Sequence, residues 1–319
     1  MPGGLPMRRA ILSPVALTAA LAAALTPAPA AAAPLVLKPS SDWALKSYDD
    51  KCRMIRTFGS GEDELVLWID KGGPGPAVNL TLIGRAVRSP YGAFTRIGFA
   101  PGDLVERSFI TAKSSKGRPV LGVFGVQPVS LLPDEALAAD KQRQSGEEQV
   151  DFADGALTAV ASEATIQQRY AAITALELNG AVIDPITLQI DDMLPMAQQL
   201  LACTAALTDR LARASQGGAD GSTRIKTRDE ATWAGKIQAD YPFHLLRAGQ
   251  QGRVAVRVTV NKEGEPTFCE VTAYDGPASF NDSACLLMLR HAKFSPATDA
   301  AGNPVAAFYS TRITYRINN

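Results

Sequence analysis

The chain has 319 residues, of which 46% are hydrophobic and 20% charged, with 32 basic side chains balanced by 32 acidic ones. That balance offers no net field to nucleic acid or acidic lipid, so neither is an expected partner. Once a leader is set aside, about 285 residues remain, more than one small core usually organises, so two domains are expected.

The leader is legible from residue order. Arg8-Arg9 precede an uncharged apolar run over residues 11–25, and small residues at Ala31 and Ala33 follow. A basic start, a short apolar stretch and an alanine-rich end make a secretory signal peptide, with cleavage expected near Ala33. The apolar run stops well short of the roughly 20 residues that a spanning helix needs, so no integral membrane segment is expected after cleavage. The residues around Arg8-Arg9 fit a twin-arginine signal poorly.

Cys52, Cys203, Cys269 and Cys285 are an even set in an exported chain, which argues for disulfides. With no C-x-x-C spacing and only His244 and His291 available, a metal site has almost no material, and none is assigned.

Along the chain, residues 43–58 read as a short helix or an extended lead-in. Runs rich in strand formers follow at 64–70, 78–87, 94–99 and 119–126, separated by turns such as Gly72-Gly73-Pro74-Gly75-Pro76. Pro133-Asp134-Glu135 suits a helix start, and residues 140–149 form a charged surface segment. Residues 162–178 space Ile166, Tyr170, Ile173 and Leu176 as an amphipathic helix, closed by Asn179-Gly180. Residues 181–190 read as strand, and 194–211 as a helix with Leu194, Ala197, Leu200, Leu201, Leu207 and Leu211 on its core stripe. Periodicity then vanishes into a Gly- and Ser-rich stretch, so a flexible linker is placed at 213–228, between domains at 34–212 and 229–319.

The last segment has its own pattern. Residues 252–260 alternate cleanly, with Val254, Val256, Val258 and Val260 on one face of a half-buried strand. The turn Asn261-Lys262-Glu263-Gly264 leads into a return strand at 267–274, where Thr267, Cys269, Val271 and Ala273 share the face assigned inward. A helix begins at Ser279, with Asp282 placed as in a capping box and Ala284, Leu287, Met288 and His291 on the apolar side. Laid over the hairpin, that helix brings Cys285 above Cys269, which leaves Cys52 to pair with Cys203. Residues 306–317 form a last strand, with Tyr309, Ile313, Tyr315 and Ile317 facing inward. Unpaired N–H and C=O groups along such an edge can accept an extended peptide as a further strand. The alternatives are an edge guarded by its own arginines or paired in a homodimer. The fold class expected is α+β: an N-terminal domain of mixed antiparallel sheet and helices, then a small ββαβ domain.

Tyr241-Pro242, Gly252 opening a valine-rich strand, Gly264 in the turn, the helix, Phe294 with Pro296-Ala297, and the closing strand occur in an order that resembles the C-terminal domain of TonB proteins. The resemblance covers residues 232–317. It implies a non-catalytic periplasmic interaction protein that grips an extended segment of a TonB-dependent outer-membrane transporter by strand addition. The docking residues it implies are Phe308, Tyr309, Ser310, Thr311, Arg312, Ile313, Thr314 and Tyr315, with Gln238 in the place of the family's peptide-contacting glutamine, three residues before Tyr241-Pro242. TonB energy transducers keep an uncleaved N-terminal helix and a long proline-rich spacer, where this sequence is read as a cleavable signal and a folded domain. An adaptor that binds peptidoglycan or another envelope protein, uncoupled from transport, is the second reading. Trp43, Cys52 and Phe58-Gly59-Ser60-Gly61 look like the companion domain of similar exported proteins, which implies no activity.

Enzyme motifs fail at the first test, since neither G-x-S-x-G nor G-x-x-x-x-G-K-[ST] occurs. The prolines of the Gly72–Pro76 turn lack the amides that hold phosphate. Asp49-Asp50 and Asp191-Asp192 read as loop or capping residues, His244 and His291 as packed or helix-end residues. No catalytic residue and no cofactor is assigned.

Overall fold

The structure, a computed structural model, describes residues 33–88, 94–134, 160–277 and 279–317, together with Gly3 and Gly92. The leader before residue 33 and the charged segment at 140–149 lie outside them.

β-Branched and aromatic residues recur at alternate positions through the first half, and strands result. They are β1 (Leu35–Leu37), β2 (Ala44–Ser47), β3 (Cys52–Phe58), β4 (Leu65–Lys71), β5 (Val78–Gly84), β6 (Phe94–Ala100), β7 (Val105–Lys113), β8 (Pro119–Val126), β9 (Ala175–Asn179) and β10 (Ile186–Gln189). Together they make one ten-stranded sheet in the order β1-β10-β9-β6-β7-β8-β5-β4-β3-β2. β7 turns its corner, pairing residues 105–108 with β6 and 109–113 with β8. The chain just past β1 bonds to the end of β3: Gly59 N–H donates to Lys38 O and Ser40 N–H to Thr57 O, both at 2.8 Å. These bonds join the two margins, so the sheet closes on itself and few backbone groups remain as open edge.

Helices α1 (Glu163–Ala171) and α2 (Met193–Ala214) complete this half. Met193, Met196, Ala197, Leu200, Leu207 and Leu211 of α2 are buried in one core with Leu67, Leu80 and Leu82 of the sheet. A disulfide between Cys52 and Cys203 ties α2 to β3.

Four local expectations need correction. Residues 43–58 form the β2–β3 hairpin, turning at Asp49-Asp50. β7 gave no apolar signal because nearly all its residues are exposed or half-buried. The helix expected through residue 178 ends at Ala171, and residues 175–179 become β9, which pairs with β6 on one side and β10 on the other. As a strand between those neighbours the segment buries Ala175, Leu176 and Leu178 together. The strand expected over 181–190 is confined to Ile186–Gln189, and Leu201 of the predicted core stripe is 43% exposed.

The C-terminal part contains β11 (Lys226–Thr227), α3 (Glu230–Ala239), α4 (Phe243–Arg247), β12 (Gly252–Val260), β13 (Pro266–Asp275), α5 (Ser279–His291), β14 (Phe294–Ser295), β15 (Ala297–Thr298), β16 (Pro304–Val305) and β17 (Ala307–Tyr315). The fold is α+β. β13, β12 and β17 form an antiparallel sheet in that order, and α5 packs on it with Phe280, Ala284, Leu287 and Met288 buried. A disulfide joins Cys269 to Cys285, as the helix-over-hairpin reading expected. Between α2 and α3 the chain bonds to the same module: β11 pairs with β14, and Thr223 bridges Thr298.

Near the β12–β13 turn, the face turned away from α5 is not open to solvent, as a half-buried strand would have it, whereas Arg253 and Asp275 at its other end are exposed. Phe268, Glu270 and Thr259 are at most 4% exposed, because the turn after β4 lies on them. Thr259 Oγ1 donates to Gly72 O at 2.7 Å, and Gly75 N–H donates to Glu270 Oε2 at 2.8 Å. Thus one amide of the Gly- and Pro-rich turn does hold an anion, a carboxylate of the same chain. Asp282 binds Arg107 of β7 at 2.8 Å, so its carboxylate serves this junction where a capping box was expected.

Candidate functional site

The predicted docking strand β17 lies at the margin of the three-stranded sheet, with β12 on one side only. Antiparallel strands alternate between residues that direct both N–H and C=O at the neighbour and residues that direct both away. Two hydrogen bonds fix which are which. Phe308 N–H donates to Ser215 Oγ at 2.7 Å, and the Thr314 carbonyl accepts from Gln238 Nε2 at 2.7 Å. Neither partner belongs to β12, so the even-numbered residues of β17 point their backbone groups outward and the odd-numbered ones bond β12.

Two side chains therefore bracket the edge, Ser215 at one end and Gln238 at the other. Between them stand six groups with no hydrogen-bond partner among the described residues: the Phe308 carbonyl, the amides and carbonyls of Ser310 and Arg312, and the Thr314 amide. Ser310 and Arg312 are exposed, so these groups are open to an incoming chain. The opposite margin, β13, is a poorer template. Its register against β12 is broken twice, whereas β17 pairs nine residues with β12 without a shift. Bulges twist an edge away from further pairing.

Local packing holds the edge in place. On the inward face Ile313 is 7% exposed and Tyr315 fully buried. Phe280 stacks on Tyr315 at 4.4 Å between centroids, and Tyr241 meets both rings edge-on at 5.5 and 5.4 Å, geometries that suit aromatic quadrupoles. The Tyr241 hydroxyl donates to Gln250 O. Burial pushes the Tyr315 phenol far above its ordinary pKa, so it stays neutral as a core side chain should. Tyr309 packs against Phe294 at 4.9 Å. On the other face the Arg257 guanidinium lies 5.5 Å from the Phe308 ring and donates to Glu270 Oε1 at 2.9 Å.

Gln238 reaches the edge because α3 buries Trp233 and Ile237, which leaves the next residue on the rim. The structure thus brings Gln238 together with Phe308 to Tyr315 on one margin. Thr311, Ile313 and Tyr315 spend their backbone groups on β12, so their part is to hold the ribbon. Ser215 escaped the sequence reading, because it sits in a stretch read as linker and its role needs the last turn of α2 beside β17.

Elsewhere, a cleft of about 200 Å³ between β9 and β10 contains one ionisable side chain, Glu177. The Asp49-Asp50 pair occupies a hairpin turn, and Asp192 precedes α2 without a side-chain cap bond. His291 Nε2 lies 3.4 Å from Asp240 Oδ2 on the surface of the module. Among the described residues no helix is long and apolar enough to cross a membrane.

Residues 237–317 match the model of the Gram-negative bacterial TonB protein C-terminal family. The chain therefore carries a TonB C-terminal domain, and the match begins one residue before Gln238 and ends two after Tyr315. No curated protein and no solved structure matches the chain.

Proposed function

We propose that this chain, which carries a TonB C-terminal domain, is a non-catalytic periplasmic interaction protein that binds an extended partner segment by strand addition to β17, and that the partner is a TonB-dependent outer-membrane transporter. The observation that carries this reading is the window of six unpaired backbone groups between the Ser215 and Gln238 side chains. Ser310 and Arg312 can each exchange two hydrogen bonds with an added strand and Phe308 and Thr314 one each, and main-chain bonds of this kind give affinity without demanding one side-chain sequence. The reading includes an exported chain cleaved near Ala33, a first domain at 34–212 and a binding module at 229–319.

The alternation of the backbone supplies the test. Proline at an outward position removes only a free amide, which an edge strand tolerates, whereas proline at an inward position removes a ladder bond. Ser310→Pro is expected to keep the unfolding midpoint within about 2 °C of wild type and to abolish amide shift changes when transporter-derived peptides are titrated. Thr311→Pro should instead destabilise the fold by about 3 kcal/mol. Undiminished peptide binding by folded Ser310→Pro would remove strand addition at this edge. Pairing of β17 with its own copy is the competing occupant, and sedimentation that shows a monomer at working concentration excludes it.

The seating of the module on the Gly72–Pro76 turn favours a second reading, an adaptor that binds peptidoglycan or another envelope protein and transmits no force. Retention of the full chain on purified cell wall, undiminished by Ser310→Pro, is the result that reading expects.

A further inference from the structure

The side chains beside the open window are not neutral. Arg253, Arg312 and Arg316 are exposed, and none has an ion-pair partner within 4.0 Å among the described residues. Arg253 stands across from Thr314 and Arg312 from Ala255, so the two arginines are diagonal neighbours on the face that β12 and β17 share. On its other side Arg253 is opposite Asp275 of β13, and Arg257 is neutralised by Glu270. Within the open window Arg312 is the one cation, since Arg316 lies past the end of β17. It is also one of the two residues whose amide and carbonyl both point outward.

A strand bonded to Arg312 places one of its own residues directly opposite, with its side chain on the same face and its Cβ about 5 Å away. An acidic side chain there meets an unpaired guanidinium, and a basic one meets a like charge already reinforced by Arg253. We infer that the segment added to β17 is acidic, with a carboxylate side chain opposite Arg312. Arg312 then determines specificity while the backbone window supplies the general affinity. This rests on strand addition at β17, and the experiment separates the two.

Three heptapeptides of alternating threonine and valine, with glutamate, glutamine or lysine at the centre, are titrated into the full chain, lacking only its leader, with amide shifts read at Ser310 and Arg312. The glutamate peptide is expected to bind about two- to fivefold more tightly than the glutamine peptide, and the lysine peptide most weakly. In 0.5 M salt the order should collapse, since both partners are exposed. Arg312→Glu should invert the order, and Arg312→Gln should flatten it. Neither change touches a buried group, so unfolding midpoints near wild type are expected and serve as the folding control. Three peptides of equal affinity that all shift Ser310 and Arg312 would overturn the charge assignment and leave strand addition standing. The same order in Arg312→Glu would also overturn it, because the carboxylate would then be read elsewhere. No shift at millimolar peptide would remove both.

Discussion

Lys71 ends β4 only 3% exposed, donating to the carbonyls of Gly75 and Ala77 beside the Glu270 carboxylate. Burial disfavours its cation more than Glu270 favours it, so its pKa falls from 10.5 to about 8. Below pH 8 both folded and unfolded chains hold the proton, and the folded state bears the full burial cost. Between about 8 and 10.5 the folded lysine is neutral while the unfolded one still binds a proton, so stability rises with pH across that window. Denaturant titrations should show wild type gaining up to about 3 kcal/mol on Lys71→Met between pH 8 and 10.5. A constant difference would mean that Lys71 keeps its charge throughout. The lysine itself is plain in the sequence, but its burial is not, since it follows a strand pattern at a position that reads as the start of a turn.

The turn from Gly72 to Pro76 shows what an element contributes beyond its composition. A Cβ added to Gly72 would stand 2.7 Å from the Phe268 Cβ, and one added to Gly75 would stand 2.5 Å from Glu270 Oε2. Glycine is needed here for close approach of the turn's backbone to the Phe268 and Glu270 side chains, as these residues lack the positive φ that would give a conformational reason. Gly72→Ala is expected to cost about 1–3 kcal/mol through overpacking, with amide shift changes spreading from β4 to β13. Changes confined to the turn would mean that the two parts are not pressed together in solution. At this scale the legible elements were those with strong periodicity. β12 and β17 alternate and α5 repeats over nine or more residues, so period placed them, while the bulges of β13 carry Ala273 to the face opposite the one its period assigned. β7 and β9 carried no such pattern, because one is polar and the other is a short run continuous with a helix.

For the whole molecule, the described residues from 33 onward form one compact unit fastened by two disulfides of different reach. Cys269–Cys285 spans 16 residues and Cys52–Cys203 spans 151. Chain entropy grows with the logarithm of loop length, so opening the longer loop should cost about 2 kcal/mol more. Paired alanine variants compared by chemical denaturation would check this, and a larger loss from Cys269 and Cys285 would show that strain or local packing dominates. By itself the sequence determined β4, β5, β6, β8, β12 and β17, the C-terminal helix and both cysteine pairings, because each follows from the apolar pattern along the chain. Only the tertiary structure decided that Thr259, Phe268 and Glu270 on the second face of the module are buried under a turn whose Gly75 lies 195 residues from Glu270, and that Ser215 closes one end of the docking window. The reason is physical: side-chain period reports which face of an element is apolar, but a hydrogen bond between a backbone group and a polar side chain of a distant segment leaves no period to read.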